Sequence, residues 1–283
     1  MTQLYGVIGD PISHSLSAVM QNRAFQATDL DAVYLPFHVP ATELTAFVEA
    51  ARRWPCAGFN ITIPHKQAIR PLLDEIGADA EAIGAVNTVL NQEDRLIGRN
   101  TDAIGYIRSL KEDTGLDPAG LTVCILGAGG AAHAVVHGLL ENDVGCIQLI
   151  NRTEANAKQL QTHFAKRSQG RIRVHPWDQA KMREVFQESR LLINTTAIGL
   201  EGSRFEDLPL ESLPDGSCVS DLVYRPRQTA LLREAAARGL HTHEGLGMLL
   251  YQGAASFGLW TGCEPDIQVM RTALTEALAV TAT

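Results

Sequence analysis

The sequence lacks the marks of several protein classes. It has no CxxC pair: its five cysteines stand scattered at 56, 124, 146, 218 and 263. That spacing suits neither a zinc site nor a disulfide framework, and most of these cysteines sit in apolar runs as small hydrophobes. His133 and His137 share a helical face, but Ala134 stands where a zinc-protease helix needs glutamate. No metal is expected. Basic clusters are also absent: the formal net charge is −8, and Arg52-Arg53 and Lys166-Arg167 are isolated pairs. This excludes a nucleic-acid footprint. No apolar run is long enough to suggest a membrane span. The opening MTQLYGVIGDP lacks the basic start and apolar stretch of a signal peptide and reads as a first strand. A cytoplasmic location is the expectation.

With 283 residues, 45% hydrophobic and 20% charged, the chain can bury more than one core, so two domains are expected. Strands are predicted at 4–9, 32–38, 57–63 and 86–90, with helices at about 17–28, 42–54 and 66–75. Such alternation implies βαβ units and a mostly parallel sheet, an α/β fold whose ligands gather at the carboxyl ends of the strands. The stretch GFNITIPHKQ (58–67) alternates Phe59, Ile61 and Ile63 with Asn60 and Thr62, a strand with two unlike faces. The pattern restarts near Leu121, with further strand–helix alternation through 146–150, 191–194, 218–222 and 231–237. Two helices close the chain at about 248–260 and 266–279. The expected division is 1–103, with 244–283 packing back on it, and a second domain over 104–243.

The run 121–126 leads directly into GAGGAAHAVVHGLL, where Gly127, Gly129 and Ala132 make G-x-G-x-x-A between a strand and a helix. Glycines there let the backbone approach a pyrophosphate at the helix N-terminus, so Gly127, Ala128, Gly129, Gly130 and Ala131 are candidate cofactor contacts. The following strand ends in Asn151-Arg152-Thr153 rather than in a carboxylate. Arg152 can meet a 2′-phosphate with paired donors, which favours NADP over NAD. No tyrosine is followed four residues on by lysine, so the Tyr-x-x-x-Lys form of active site is absent. Lys66 and Asp102 remain as candidates for chemistry. Taken alone, Asp102 equally suits a helix N-cap, and Lys66 a solvent-facing lysine.

The segments PISHSLS (11–17), FNITIPHK (59–66), GAVNT (84–88), NTD (100–102), GAGGAA (127–132), NRT (151–153) and EGLGMLLYQGA (244–254) occur in one order. In this the chain resembles the shikimate dehydrogenases of the shikimate/quinate dehydrogenase family over essentially its whole length. The resemblance implies an N-terminal substrate domain, a Rossmann-type NADP domain and a cleft between them. It also implies the reversible reduction of 3-dehydroshikimate to shikimate, a step towards aromatic amino acids, by a monomer or homodimer. Ser15 and Ser17 would bind the substrate carboxylate with help from Tyr224. Asn60, Thr62, Lys66, Asn87, Asp102 and Gln252 would line the hydroxylated side of the ring. Lys66 would exchange the proton as hydride moves to or from nicotinamide, with Asp102 positioning it. Leu222 and Gly245 would join the cofactor contacts. Several positions depart from the family pattern: Asn156 replaces a second arginine, Ala78 an acidic residue, Ala197 a serine and His133 an arginine. All bear on the cofactor rather than the substrate. A quinate or aminoshikimate paralogue with NAD or mixed cofactor use, and a non-catalytic dinucleotide-binding regulator, are the alternative readings.

Overall fold

The computed structural model describes residues 2–13 and 15–280, and His14 of PISHSLS lies outside the described residues. The chain divides into two compact units, Met1–Gly105 with Leu249–Thr283, and Tyr106–Met248. Both breaks fall inside helices.

The first unit begins with β1 (Gln3–Gly9), α1 (Ser17–Ala27), β2 (Ala32–His38), α2 (Leu44–Arg53) and β3 (Cys56–Ile61). It continues with β4 (Glu75–Ile76), α3 (Ala78–Ile83), β5 (Thr88–Gln92) and β6 (Arg95–Arg99), and α4 (Asp102–Thr114) then leads out of it. Its sheet has the order β2-β1-β3-β5-β6-β4. The sheet is mixed: β2, β1 and β3 run parallel, while β5 is antiparallel to both β3 and β6. The link from β5 to β6 is only Glu93-Asp94, both at positive φ, and so short a link can join only antiparallel neighbours.

Two local expectations fail here. Residues 66–75 form turns and a single 3-10 turn, Arg70–Leu72, rather than a helix. Pro71 has no N–H to continue a helical ladder. Ile63 does not share the core face of Phe59 and Ile61; it is 65% exposed, because β3 ends at Ile61 and the chain turns away through Pro64.

The second unit carries β7 (Thr122–Leu126), α5 (Gly130–Glu141), β8 (Cys146–Ile150), α6 (Glu154–His163), α7 (Ala165–Ser168) and β9 (Ile172–His175). There follow α8 (Gln179–Glu188), β10 (Leu191–Asn194), the short β11 (Ile198–Glu201), β12 (Cys218–Asp221), α9 (Ala230–Ala237) and β13 (His241–Glu244). Six strands form a wholly parallel sheet in the order β9-β8-β7-β10-β12-β13. Along β7, Val123 and Ile125 enter one core with Val135, Leu139 and Leu160, while Cys124 and Leu126 enter the other with Met182, Phe186 and Leu232. Burial on both faces explains why these strands read as continuous apolar runs.

The last two helices, α10 (Gly245–Thr261) and α11 (Ile267–Val280), return to the first unit. There Trp260 packs 5.1 Å from the Tyr5 ring, and its indole N–H donates to the Val89 carbonyl at 2.9 Å. Phe257 packs on Phe25 at 5.2 Å. A side chain at Gly58 would strike the indole, with a Cβ only 2.4 Å from Nε1. Among the described residues no helix is long and apolar enough to cross a membrane.

Within the second unit, His243 on β13 is buried with both ring nitrogens engaged. Nδ1 meets Ser220 Oγ at 2.9 Å and Nε2 meets Ser109 Oγ at 2.7 Å. Burial pushes its pKa down from 6.5 to about 4, with Asp113 and Glu244 opposing. Between those values the unfolded histidine holds a proton that the folded one does not. The stability it contributes is therefore whole above pH 6.5 and is lost as pH falls towards 4. The expected loss across this window is on the order of 3 kcal/mol. Urea unfolding followed from neutral to acidic pH should show it, and His243→Asn should flatten that part of the curve. Parallel curves for the two proteins would refute the assignment.

Candidate active site

The mixed sheet of the first unit gathers four chain segments at one edge. The parallel strands β1 and β3 end there, leading into PISHSLS and TIPHK. The antiparallel β5 begins there, directly after Asn87, and β6 ends there before Asn100-Thr101-Asp102, with Thr88 paired to both Asn60 and Arg99. Backbone hydrogen bonds tie the segments together: Val86 N–H donates to Lys66 O at 2.8 Å, and Ile61 N–H to Asn87 O at 2.8 Å.

Lys66 Nζ donates to Asp102 Oδ2 at 2.6 Å, with side-chain exposures of 17% and 6%. Asp102 is thus neither an N-cap nor a bystander. It opens α4, and its own N–H is taken by Asn100 Oδ1 at 2.9 Å. Its second oxygen receives Asn87 Nδ2 at 2.8 Å. The same Nδ2 lies 2.9 Å from Thr101 Oγ1 and 3.3 Å from Gln252 Oε1 on α10. Lys66, Asp102, Asn87 and Gln252 are therefore one connected group. Thr62 is half-buried, its backbone N–H held by Ile8 O at 2.9 Å. Ser17 is buried at the start of α1, and its N–H donates to the hydroxyl of the half-buried Ser15 at 3.3 Å.

Asn60 differs from the expectation that it lines the ring. Its Nδ2 lies 3.0 Å from Asn87 O, from Thr88 Oγ1 and from Ser256 Oγ, and its Oδ1 accepts from the Tyr34 hydroxyl at 2.7 Å. Turned inward, it orients neighbours. The group also contains polar residues that the motifs did not single out: Tyr34, Thr88, Thr101 and Ser256. Ser256 lies four residues after Gln252, on the same face of α10, and helical spacing was the available signal. Tyr34, on a strand distant in sequence, carried none.

In the second unit the candidate cofactor residues all follow strand carboxyl ends. Gly127 follows β7, adopts φ +110°, and an added Cβ would lie 2.5 Å from Thr195 Oγ1. Gly129 caps α5 without any side-chain hydrogen bond, and the space where its Cβ would stand is open for 4 Å. Free N–H groups at the start of a 12-residue helix, approachable by the backbone, fit a pyrophosphate. Asn151, Arg152 and Thr153 follow β8. Asn151 Nδ2 donates to Thr153 O at 2.7 Å, whereas exposed Arg152 makes no hydrogen bond or ion pair among the described residues. Its donor fork, with no carboxylate in Asn151-Arg152-Thr153, fits a 2′-phosphate. The exposed Asn156 supplies no second cation. Leu222 follows β12, and Gly245 must be glycine because an added Cβ would lie 2.3 Å from the Leu222 carbonyl oxygen. Tyr224 belongs to this second unit.

Comparison with known proteins bears on both units. Residues 7–89 match the shikimate dehydrogenase substrate binding domain, 110–200 the shikimate/quinate 5-dehydrogenase domain, and 245–275 the shikimate 5'-dehydrogenase C-terminal domain. The chain is 42% identical over 278 residues to shikimate dehydrogenase (NADP(+)) of Geobacter metallireducens, covering 98% of this chain and 97% of the relative. It is 39% identical to the Thermus thermophilus shikimate 5-dehydrogenase solved with NADP(H) and shikimate, at a TM-score of 0.87, covering 98% of this chain and all of the other. It is also 28% identical to quinate dehydrogenase of Corynebacterium glutamicum solved with NAD, at a TM-score of 0.89, covering 97% and 99%. With this likeness running through both units, and a glycine loop and a Lys-Asp pair set at strand ends, the chain belongs to the shikimate dehydrogenase family.

Proposed function

We propose that the protein catalyses the NADP-dependent, reversible reduction of 3-dehydroshikimate to shikimate. The observation that carries this is the Lys66–Asp102 pair, 2.6 Å apart and joined through Asn87 to Gln252. A polyol ring needs many fixed donors and acceptors, and rejects analogues that would leave them unpaired. Thr62, Asn87 and Gln252 supply these to the hydroxyls, with Asn60 acting from behind. Ser15 and Ser17 hold the carboxylate by hydroxyl donors.

Residues 127–131, Asn151, Arg152, Thr153, Leu222 and Gly245 would hold the cofactor, which as NADPH would supply a hydride to the carbonyl carbon and as NADP+ would accept one from the carbinol carbon. In reduction, Lys66 delivers a proton from Nζ to the carbonyl oxygen as the hydride reaches the carbon; in oxidation it takes the hydroxyl proton back. Asp102 keeps the ammonium aimed at that oxygen and accepts from a neighbouring substrate hydroxyl.

Purified protein supplied with shikimate or quinate, and with NADP or NAD, should reduce NADP fastest with shikimate, followed at the nicotinamide absorbance band. Faster quinate oxidation would select the quinate paralogue. No turnover with any pair would leave a non-catalytic dinucleotide-binding protein.

A further inference from the structure

Beside the Lys66–Asp102 pair lies a row of buried polar side chains. Tyr34, Thr88 and Ser256 are wholly buried, and Asn60 and Thr101 nearly so. Such a group has to account for its protons, because an unpaired buried donor or acceptor is costly.

Asn87 is the member that meets the reactive pair. An amide side chain can sit in two orientations, related by a half-turn, that exchange its oxygen and its NH2. One of them gives Asp102 Oδ1 an N–H donor at 2.8 Å. The other would set a carbonyl oxygen against a carboxylate, two acceptors with no proton between them. The choice is made on the far side of the amide. There Asn87 Oδ1 accepts the Thr101 backbone N–H at 2.8 Å and the Thr88 hydroxyl at 2.9 Å.

The Thr88 hydroxyl has one proton, and a carbonyl oxygen can only accept it. Of its other close neighbours, Asn60 Nδ2 donates to one of its lone pairs at 3.0 Å, and Ser256 Oγ lies 2.8 Å away with its own hydroxyl donating to the Gln252 carbonyl at 3.0 Å. Asn60 presents NH2 in that direction because its own oxygen is held by the Tyr34 phenol at 2.7 Å. Every link thus runs the same way: Tyr34 donates to Asn60, Asn60 to Thr88, Thr88 to Asn87, and Asn87 to the carboxylate. Donors arranged head to tail polarise one another and strengthen the last bond of the row.

We propose that Tyr34, Asn60 and Thr88 are positioning residues for the reaction, a one-way donor row that fixes the Asn87 amide and so holds Asp102 facing Lys66. This rests on the reading of Lys66 and Asp102 as the proton-transfer pair. None of the three is hydrogen-bonded to Lys66 or Asp102; they act through Asn87, although the Tyr34 phenol also meets the Ser17 side chain.

The test compares Thr88→Val, which keeps the shape and removes the hydroxyl, with Thr88→Ser, which keeps the hydroxyl. In Thr88→Val, kcat for shikimate oxidation should fall about tenfold to a hundredfold, the size of effect expected when reacting groups are displaced by a fraction of an ångström. KM for shikimate and the NADP dissociation constant should stay within about threefold, and Thr88→Ser should recover kcat to within about threefold of the parent enzyme. Tyr34→Phe, which also preserves shape, should lower kcat in the same direction and keeps the question open to test if Thr88→Val folds poorly. Equal losses in Thr88→Val and Thr88→Ser, an effect confined to KM, or unchanged kcat in Tyr34→Phe and Thr88→Val would overturn the proposal. Lys66→Ala measured beside them separates the two levels. If it is inactive while Thr88→Val keeps the parent kcat, only the donor row fails; if it turns over normally, the proton-transfer reading falls and the row with it.

Discussion

Replacing Lys66 by alanine is expected to lower turnover of shikimate with NADP by roughly a thousandfold, within the range for loss of a general acid–base group. Lys66 is the basic side chain of the connected group. Its Nζ is 2.6 Å from the carboxylate, and the amides and hydroxyls around the pair cannot replace it at neutral pH. Binding of NADP should change less than about twofold, because the cofactor positions lie in the other unit and none is hydrogen-bonded to Lys66. The variant leaves Asp102 nearly buried with Asn87 as its remaining side-chain partner, so some loss of stability is also expected. Turnover should therefore be normalised to folded protein by circular dichroism. Retention of a tenth or more of the activity would remove Lys66 from proton transfer. A parallel collapse of NADP affinity, measured by calorimetry, would mean that the lysine serves the cofactor instead.

The second large effect concerns cofactor choice. Arg152→Ala should weaken NADP binding about tenfold to a hundredfold, the worth of charge-assisted hydrogen bonds to a phosphate, while NAD binding shifts less than about twofold. The guanidinium is exposed and has no competing hydrogen bond or ion pair among the described residues, so its donors stand ready for a ligand. Asn156, one turn further on, carries no charge. Asn156→Arg should therefore tighten NADP and leave NAD unmoved. Equal effects of Arg152→Ala on both nucleotides would refute its assignment to the 2′-phosphate.

The dinucleotide unit was highly legible in the sequence. Its strands are buried on both faces, so 146–150 and 191–194 appear as apolar runs with the bounds that β8 and β10 have in the structure. Its glycines are required by local geometry, a positive φ at Gly127 and a carbonyl against Gly245, and such constraints survive as residue identity. The substrate unit was less so. A helix was expected after Lys66 from the alternation of strand-like and helix-like stretches, but Pro71 removes a ladder donor. Ile63 fits the period of β3 and yet is exposed, since periodicity does not report where a strand stops.

By itself, then, the sequence determined which residue types the protein brings to its chemistry: Lys66, Asp102, Asn87, Gln252, the glycine loop and Arg152. Those identities lie in short segments whose order carried the family likeness. What only the tertiary structure decided is how these segments meet. In a wholly parallel sheet Asn87, standing just before its strand, would lie at the opposite edge from Lys66, which follows its own. Because β5 runs antiparallel to β3, a residue before one strand and a residue after the other share an edge. Tyr34, Asn60, Thr88 and Ser256 likewise meet only in the tertiary structure: the hydrogen-bonded pair Asn60 and Ser256 is 196 residues apart in sequence. No local periodicity records such pairing, because strand direction and the direction of each buried hydrogen bond are set by partners distant along the chain.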